Sequence, residues 1–216
     1  MRDLMALPEV SGRDRIRLYV TTILFQWSLA AIVAWRAFAR GLTLRQLGLA
    51  DGFAPAAILL ILVGATLIAA GHWMNLRRLA RSHHRAAESL RAMGVRLFPR
   101  STAEYIFYIV LAVTAGICEE FVFRGFVIAA LFRAGLGAWT AVILSSLMFG
   151  LAHLYQGKGG SVGTALLGML FAGVKIAYDS ILPVVVWHAI LDIVAGFAGT
   201  KYFTEQQLEE PVGQAV

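Results

Sequence analysis

The chain has 216 residues and a formal net charge of +6, with hydrophobic types at 59%, charged types at 15% and a mean hydropathy of +0.71. A soluble domain carries about a quarter charged residues, yet no Asp, Glu, Lys or Arg occurs across 52–76 or 134–157, gaps that match the roughly 20 apolar residues needed to cross a hydrocarbon core. A water-soluble single core, a disordered chain and a secreted protein are excluded, and the basic balance reads as membrane orientation with no nucleic acid as partner.

Residues 18–37 form the first expected span, with Trp27 and Trp35 inside it and Arg36 near its end. The chain is polar through Arg17 and no A-x-A-like site follows, so this run reads as a retained signal anchor. Residues 55–73 form the second span and end on Trp73, a residue type common at membrane interfaces. Across 77–100, seven arginines face the single acid Glu88, while Leu79, Ala86, Leu90, Met93 and Leu97 recur at near-helical steps. That pattern predicts a basic amphipathic helix lying on the anionic cytoplasmic leaflet. By the positive-inside rule it places the N-terminus in the cytoplasm too, in keeping with Arg13, Arg15 and Arg17, while Arg40 and Arg45 pull the other way.

Further helices are expected at 103–132, 138–154, 163–178 and 183–199. The first is too long for one straight span and is expected to begin at the interface or to break near Gly116 or Gly125. Ser146 with Gly150, and Gly168 with Ala172, are small residues four apart that let helix backbones approach closely. Residues 201–216, with Glu205, Glu209, Glu210 and Pro211, read as a polar tail. The expected fold is all-α, a polytopic transmembrane helix bundle of about six to eight membrane helices. It divides into N-terminal membrane helices with the basic cytoplasmic segment (1–100), a denser helical core (101–200) and the tail (201–216).

Function enters through polar residues inside the apolar block. Glu119, Glu120 and Arg124 lie within six positions, flanked by Ile117, Phe121, Val122, Phe123 and Phe126. Each charge near a helix centre costs about 2.5–3.5 kcal/mol on insertion scales. Glu120 and Arg124 pair at i,i+4, which leaves Glu119, about 100° around the helix, without a partner in its own segment. Two adjacent carboxylates in a low dielectric disfavour double ionisation, and such a carboxylate suits general-base chemistry. His153 closes a second apolar helix four residues after Phe149, and His188 sits on a third with Asp192 one turn later on the same face. These groups escape lipid only by converging on a common interior. Cys118 cannot form an intrachain disulfide or a multi-cysteine metal site, since it is the single cysteine, and it reads as an inert small hydrophobe. His72, His83 and His84 take no role.

Glu119-Glu120-Phe121-Val122-Phe123-Arg124, then Phe149 to His153, then His188 to Asp192 resemble the motifs EExxxR, FxxxH and HxxxN/D. In this the chain is similar to the CPBP intramembrane endopeptidases, the CAAX protease and bacteriocin-processing or Abi family, over about 103–199. The resemblance implies a membrane-embedded helical core in which Glu119 and His153 activate a water. It assigns His188 and Asp192 to the oxyanion, with Glu120 and Arg124 as structural and electrostatic support. Asp192 stands where many eukaryotic members have Asn; an ionised Asp repels an oxyanion, so it is protonated, orients His188 or binds something else.

These residues lead us to expect an intramembrane endopeptidase that hydrolyses peptide bonds with an activated water. No serine or cysteine has a clear base partner. The cofactor is left open between none and a single divalent metal such as zinc, held by Glu119, His153 and His188, because two His and a carboxylate are a plausible zinc set. The expected partners are the lipid bilayer and a protein or peptide substrate, including one with a lipidated or membrane-embedded C-terminus. The expected location is the plasma (inner) membrane. A proton-coupled transporter, or a non-catalytic binding or immunity protein on the same scaffold, is the alternative.

Overall fold

The structure, a computed structural model, describes residues 10–50, 55–82 and 85–204. His83, His84 and the acidic tail residues Glu205, Glu209 and Glu210 lie outside the described residues, as does Pro211. Among the described residues every regular element is helical: α1 (Gly12–Ala39), α2 (Pro55–Ala80), α3 (Arg85–Leu97), α4 (Thr102–Arg133), α5 (Ala138–Ala152), α6 (Gly157–Tyr178) and α7 (Leu182–Phe203). Five of them, α1, α2, α4, α6 and α7, are long and apolar enough to cross a membrane, so the protein is multi-pass.

The count of five corrects the six to eight expected. α5 is apolar but only 15 residues long, about 22 Å at 1.5 Å per residue, short of a hydrocarbon core of about 30 Å. The expected break in the 103–132 segment does not occur, so α4 adds one span. Instead, its hydrogen bonding widens to a π-helix over Phe121–Val127, between α-helical stretches Thr102–Glu120 and Ile128–Arg133. Gly116 and Gly125 serve close approach: a Cβ on Gly116 would lie 2.7 Å from the Val185 carbonyl of α7, and one on Gly125 would lie 3.1 Å from the Leu47 carbonyl.

Polar anchors fix α1 against α4 at both ends. At one end, buried Arg15 donates from Nε to Glu104 Oε2 at 2.7 Å, and Ser101 caps α4 by accepting from the Glu104 backbone. Nearby, Tyr19 donates to the Leu97 carbonyl and Thr200 of α7 to the Pro99 carbonyl. At the other end, Arg133 donates to the Arg40 carbonyl and Ile181 N–H to the Gly48 carbonyl. The starts of α1 and α4 and the end of α7 therefore share one side of the bundle.

α3 is shorter than the expected basic helix, because Arg77 and Arg78 belong to the last turn of α2. Ala87 and Leu90 of its apolar side pack with Leu76, Ala80, Phe98, Ala198 and Phe203, which include residues from the ends of α2 and α7. α7 runs to Phe203, four residues past its expected end, since Phe203 is fully buried in that cluster.

Candidate active site

Glu119 and Glu120 end the regular part of α4 just where the π turn begins. A single wide turn of this kind is a frequent mark of functional sites. It holds Arg124 against Glu120, Nη1 to Oε1 at 2.9 Å, with both side chains fully buried. The guanidinium carbon lies 4.0 Å from the centre of the Phe149 ring, a desolvated cation–π contact. Gly168 of α6 makes room for this: a Cβ there would stand 2.9 Å from Arg124 Nη2 and 3.3 Å from Phe149.

The two histidines arrive from α5 and α7. His153 is the residue at which α5 ends. Its Nδ1 lies 2.8 Å from the Phe149 carbonyl; a carbonyl only accepts, so Nδ1 carries a proton and, in the neutral ring, Nε2 bears the lone pair. That Nε2 is 3.6 Å from Glu119 Oε2. His188 points Nδ1 at Glu120 Oε1, 2.7 Å away, and its Nε2 stands 4.0 Å from Glu119 Oε2 and 3.6 Å from Asp192 Oδ2. Phe149 packs edge-on to His188 and against His153, so the motif phenylalanine is the floor that spaces the two rings.

All six residues singled out from the sequence thus lie in one contiguous network. Asp192 is its most open member, with a side chain 40% exposed against 21% for Glu119. Glu119 Oε2 is buried and has no hydrogen-bond partner among the described residues, although two imidazole nitrogens stand within 4.0 Å. Its Oε1 accepts from Gln26 Nε2 of α1 at 2.7 Å.

Gln26 escaped the sequence reading. The signal was present: Thr21, Thr22 and Ser28 in the same stretch satisfy their hydroxyls on carbonyls of their own helix. An amide has more bonds to make than its own turn offers, so a lone Gln in an apolar span needs an outside partner.

Residues 101–194 match the family model for type II CAAX prenyl endopeptidases, Rce1-like. This part of the chain is an Rce1-like domain of the CPBP/Abi family. The match spans a little under half of the 216 residues, holds all six motif residues, and leaves α1, α2 and α3 outside. No curated protein and no solved structure matches the chain.

The Rce1-like domain does not support the metal option. Among the described residues, no group of three or more His, Cys, Asp or Glu side chains is arranged to hold a metal ion. The 4.0 Å between His188 Nε2 and Glu119 Oε2 exceeds the edge of about 3.4 Å of a tetrahedron with zinc bonds of about 2.0–2.1 Å. Glu119 Oε1 is already engaged by Gln26. An apolar cavity of about 570 Å³ is lined by Trp27, Ala30, Ile117, Cys118, Phe121 and Val185, among them sequence neighbours of Gln26 and Glu119. Cys118 is one wall residue of this cavity, buried and free.

Proposed function

We propose that the protein is an intramembrane endopeptidase in which Glu119 is the general base and a water is the nucleophile. The observation that carries this is Glu119 Oε2, a buried acceptor with no donor among the described residues, 3.6 Å from the Nε2 of His153. Two acceptors 3.6 Å apart have no proton to share, and a water admitted between them would satisfy both with its two protons. Glu119 takes one proton as the water oxygen bonds to the peptide carbonyl carbon. His153 holds the water through Nε2. The glutamic acid then gives its proton to the peptide nitrogen, and the C–N bond breaks.

His188 is assigned to the oxyanion. With protons on both nitrogens it donates from Nδ1 to Glu120, and Nε2–H is left to donate to the developing negative charge. Glu120 is held in turn by Arg124. Asp192, 3.6 Å from His188 Nε2, acts through that ring rather than on the oxyanion, which an ionised carboxylate would repel. The apolar cavity beside Cys118 supports a hydrophobic, membrane-embedded peptide as substrate, with the core at 101–200 as the catalytic unit.

The test compares membrane proteomes of cells carrying the wild type and Glu119→Gln. Accumulation of an uncleaved precursor in the variant, and its cleavage by the purified wild type in detergent, is the expected result. An unchanged proteome together with an unchanged phenotype would sink the hydrolytic reading. Treatment of the purified protein with a zinc chelator is expected to leave cleavage intact, whereas stoichiometric zinc lost with Glu119→Gln or His153→Ala would overturn the metal-independent form.

A further inference from the structure

We infer that Gln26 is a positioning residue for Glu119: its amide holds Oε1 and thereby leaves Oε2 as the oxygen that takes the proton from water. The inference rests on the hydrolytic reading above. It brings α1, which lies outside the Rce1-like domain, into the working of the site.

The amide orientation follows from chemistry. An ionised carboxylate only accepts, so the group 2.7 Å from Glu119 Oε1 is the NH₂ of Gln26. Glutamate has three side-chain torsions, and the buried cation of Arg124 lies one turn away on the same helix. Without a tether at Oε1 the carboxylate has two competing places to go, and Oε2 is not held facing His153. The other residues along this part of α1 do not share the task, since Thr22 and Ser28 bond to their own helix.

α1 is suited to carry a positioning group because it cannot slide. Arg15 to Glu104 and Tyr19 to Leu97 clamp it on one side of Gln26, and the Arg40 carbonyl accepts from Arg133 on the other. A second observation separates this from a role in packing alone. Gln26 Oε1 is buried with no partner among the described residues. An amide kept only for stability in an apolar setting would have both ends bonded, or would be replaced by a leucine.

The experiment uses the full-length protein in detergent. Its substrate is a fluorogenic peptide spanning the cleavage site of the precursor that accumulates with Glu119→Gln. Gln26→Leu and Gln26→Met keep the volume and remove the donor. Expected are a kcat lowered roughly 10- to 100-fold, the loss of one hydrogen bond to a charged group, with KM within about twofold and an unlowered thermal midpoint. Adding Gln26→Leu to Glu119→Gln should produce no further loss of rate. The infrared carboxylate band assigned to Glu119 by subtraction of the Glu119→Gln spectrum should move in Gln26→Leu. Full kcat with an unmoved band overturns the proposal, as does a rate loss that tracks a lowered thermal midpoint in both variants. A moved band in a protein that cleaves nothing keeps the Gln26–Glu119 contact and instead overturns the hydrolytic reading.

Discussion

Glu120 has no exposed surface and touches two nitrogen bases through one oxygen, Arg124 Nη1 at 2.9 Å and His188 Nδ1 at 2.7 Å. Removing one member of a buried ion pair strands a charge, which typically costs about 3–5 kcal/mol. Arg124→Leu is therefore expected to destabilise by that order, read from thermal denaturation in detergent. Glu120→Gln combined with Arg124→Leu should recover much of the loss, because the carboxylate that lost its guanidinium is then neutral, while cleavage stays abolished. Equal destabilisation of the single and double variants would show that packing of the guanidinium over Phe149, not charge, dominates. Asp192→Asn asks a different question, since the side chain is the most open of the six. Acting through His188, it should lower kcat less than His188→Ala does, by less than about tenfold, or roughly 1.4 kcal/mol. The motif residues were legible because a charge in lipid is costly and has few explanations. Gln26 announces itself as a lone amide in an apolar span but does not announce its role, because its partner, Glu119, lies 93 positions away and nothing local pairs them.

At the scale of elements, what positions these residues is close approach of helix backbones. α5 and α6 pack antiparallel along Val142, Ser146 and Gly150 on one side and Ala172, Gly168 and Ala165 on the other. A Cβ on Gly150 would lie 2.7 Å from Ala165 Cβ and 2.9 Å from the Ser161 carbonyl; backbone cannot move aside as a flexible side chain does. Gly150→Val is expected to part the helices and cost about 1–3 kcal/mol, the usual penalty of overpacking. It should also lower cleavage, because His153 follows three residues later. Gly163→Ala on α6 is the control: nothing lies within 4 Å of a Cβ there, so it should be neutral or gain up to about 1 kcal/mol of helix propensity. A neutral Gly150→Val in the same unfolding assay would remove the seam from the account. The small-residue pairs that make this seam were readable from four-residue spacing alone. The π turn was not. It begins next to Glu120, which is bonded to Arg124 and to His188 of α7, and the second of these contacts has no local sequence signature. The glycine at 125 suggested a break, yet it lies against the Leu47 carbonyl inside a continuous helix.

The whole molecule adds a constraint that no single helix contains. Five long helices joined in series would leave the two ends of the bundle core on opposite sides, yet Thr200 of α7 bonds to Pro99, and Arg15 of α1 to Glu104. The short α5 resolves this by running back from the Arg133 end to His153, after which α6 returns along it. Its length, too small to span, is what brings His153 to the depth of Glu119 instead of to the far surface. This also makes orientation testable. The end shared by α1, α3 and α7 carries Arg13, Arg17, Arg77, Arg78 and Arg81, and the opposite end carries Arg40, Arg45 and Arg133. The excess predicts that the first group faces the cytoplasm. Cys118 is 2% exposed, so Cys118→Ala gives a background without other thiols, into which Glu88→Cys and Ala134→Cys, both at exposed positions, are placed singly. A membrane-impermeant maleimide added to intact cells should label Ala134→Cys and leave Glu88→Cys unlabelled until the membrane is opened. The reverse pattern would put the basic end outside, and labelling of both in sealed cells would mean that the chain inserts in two orientations.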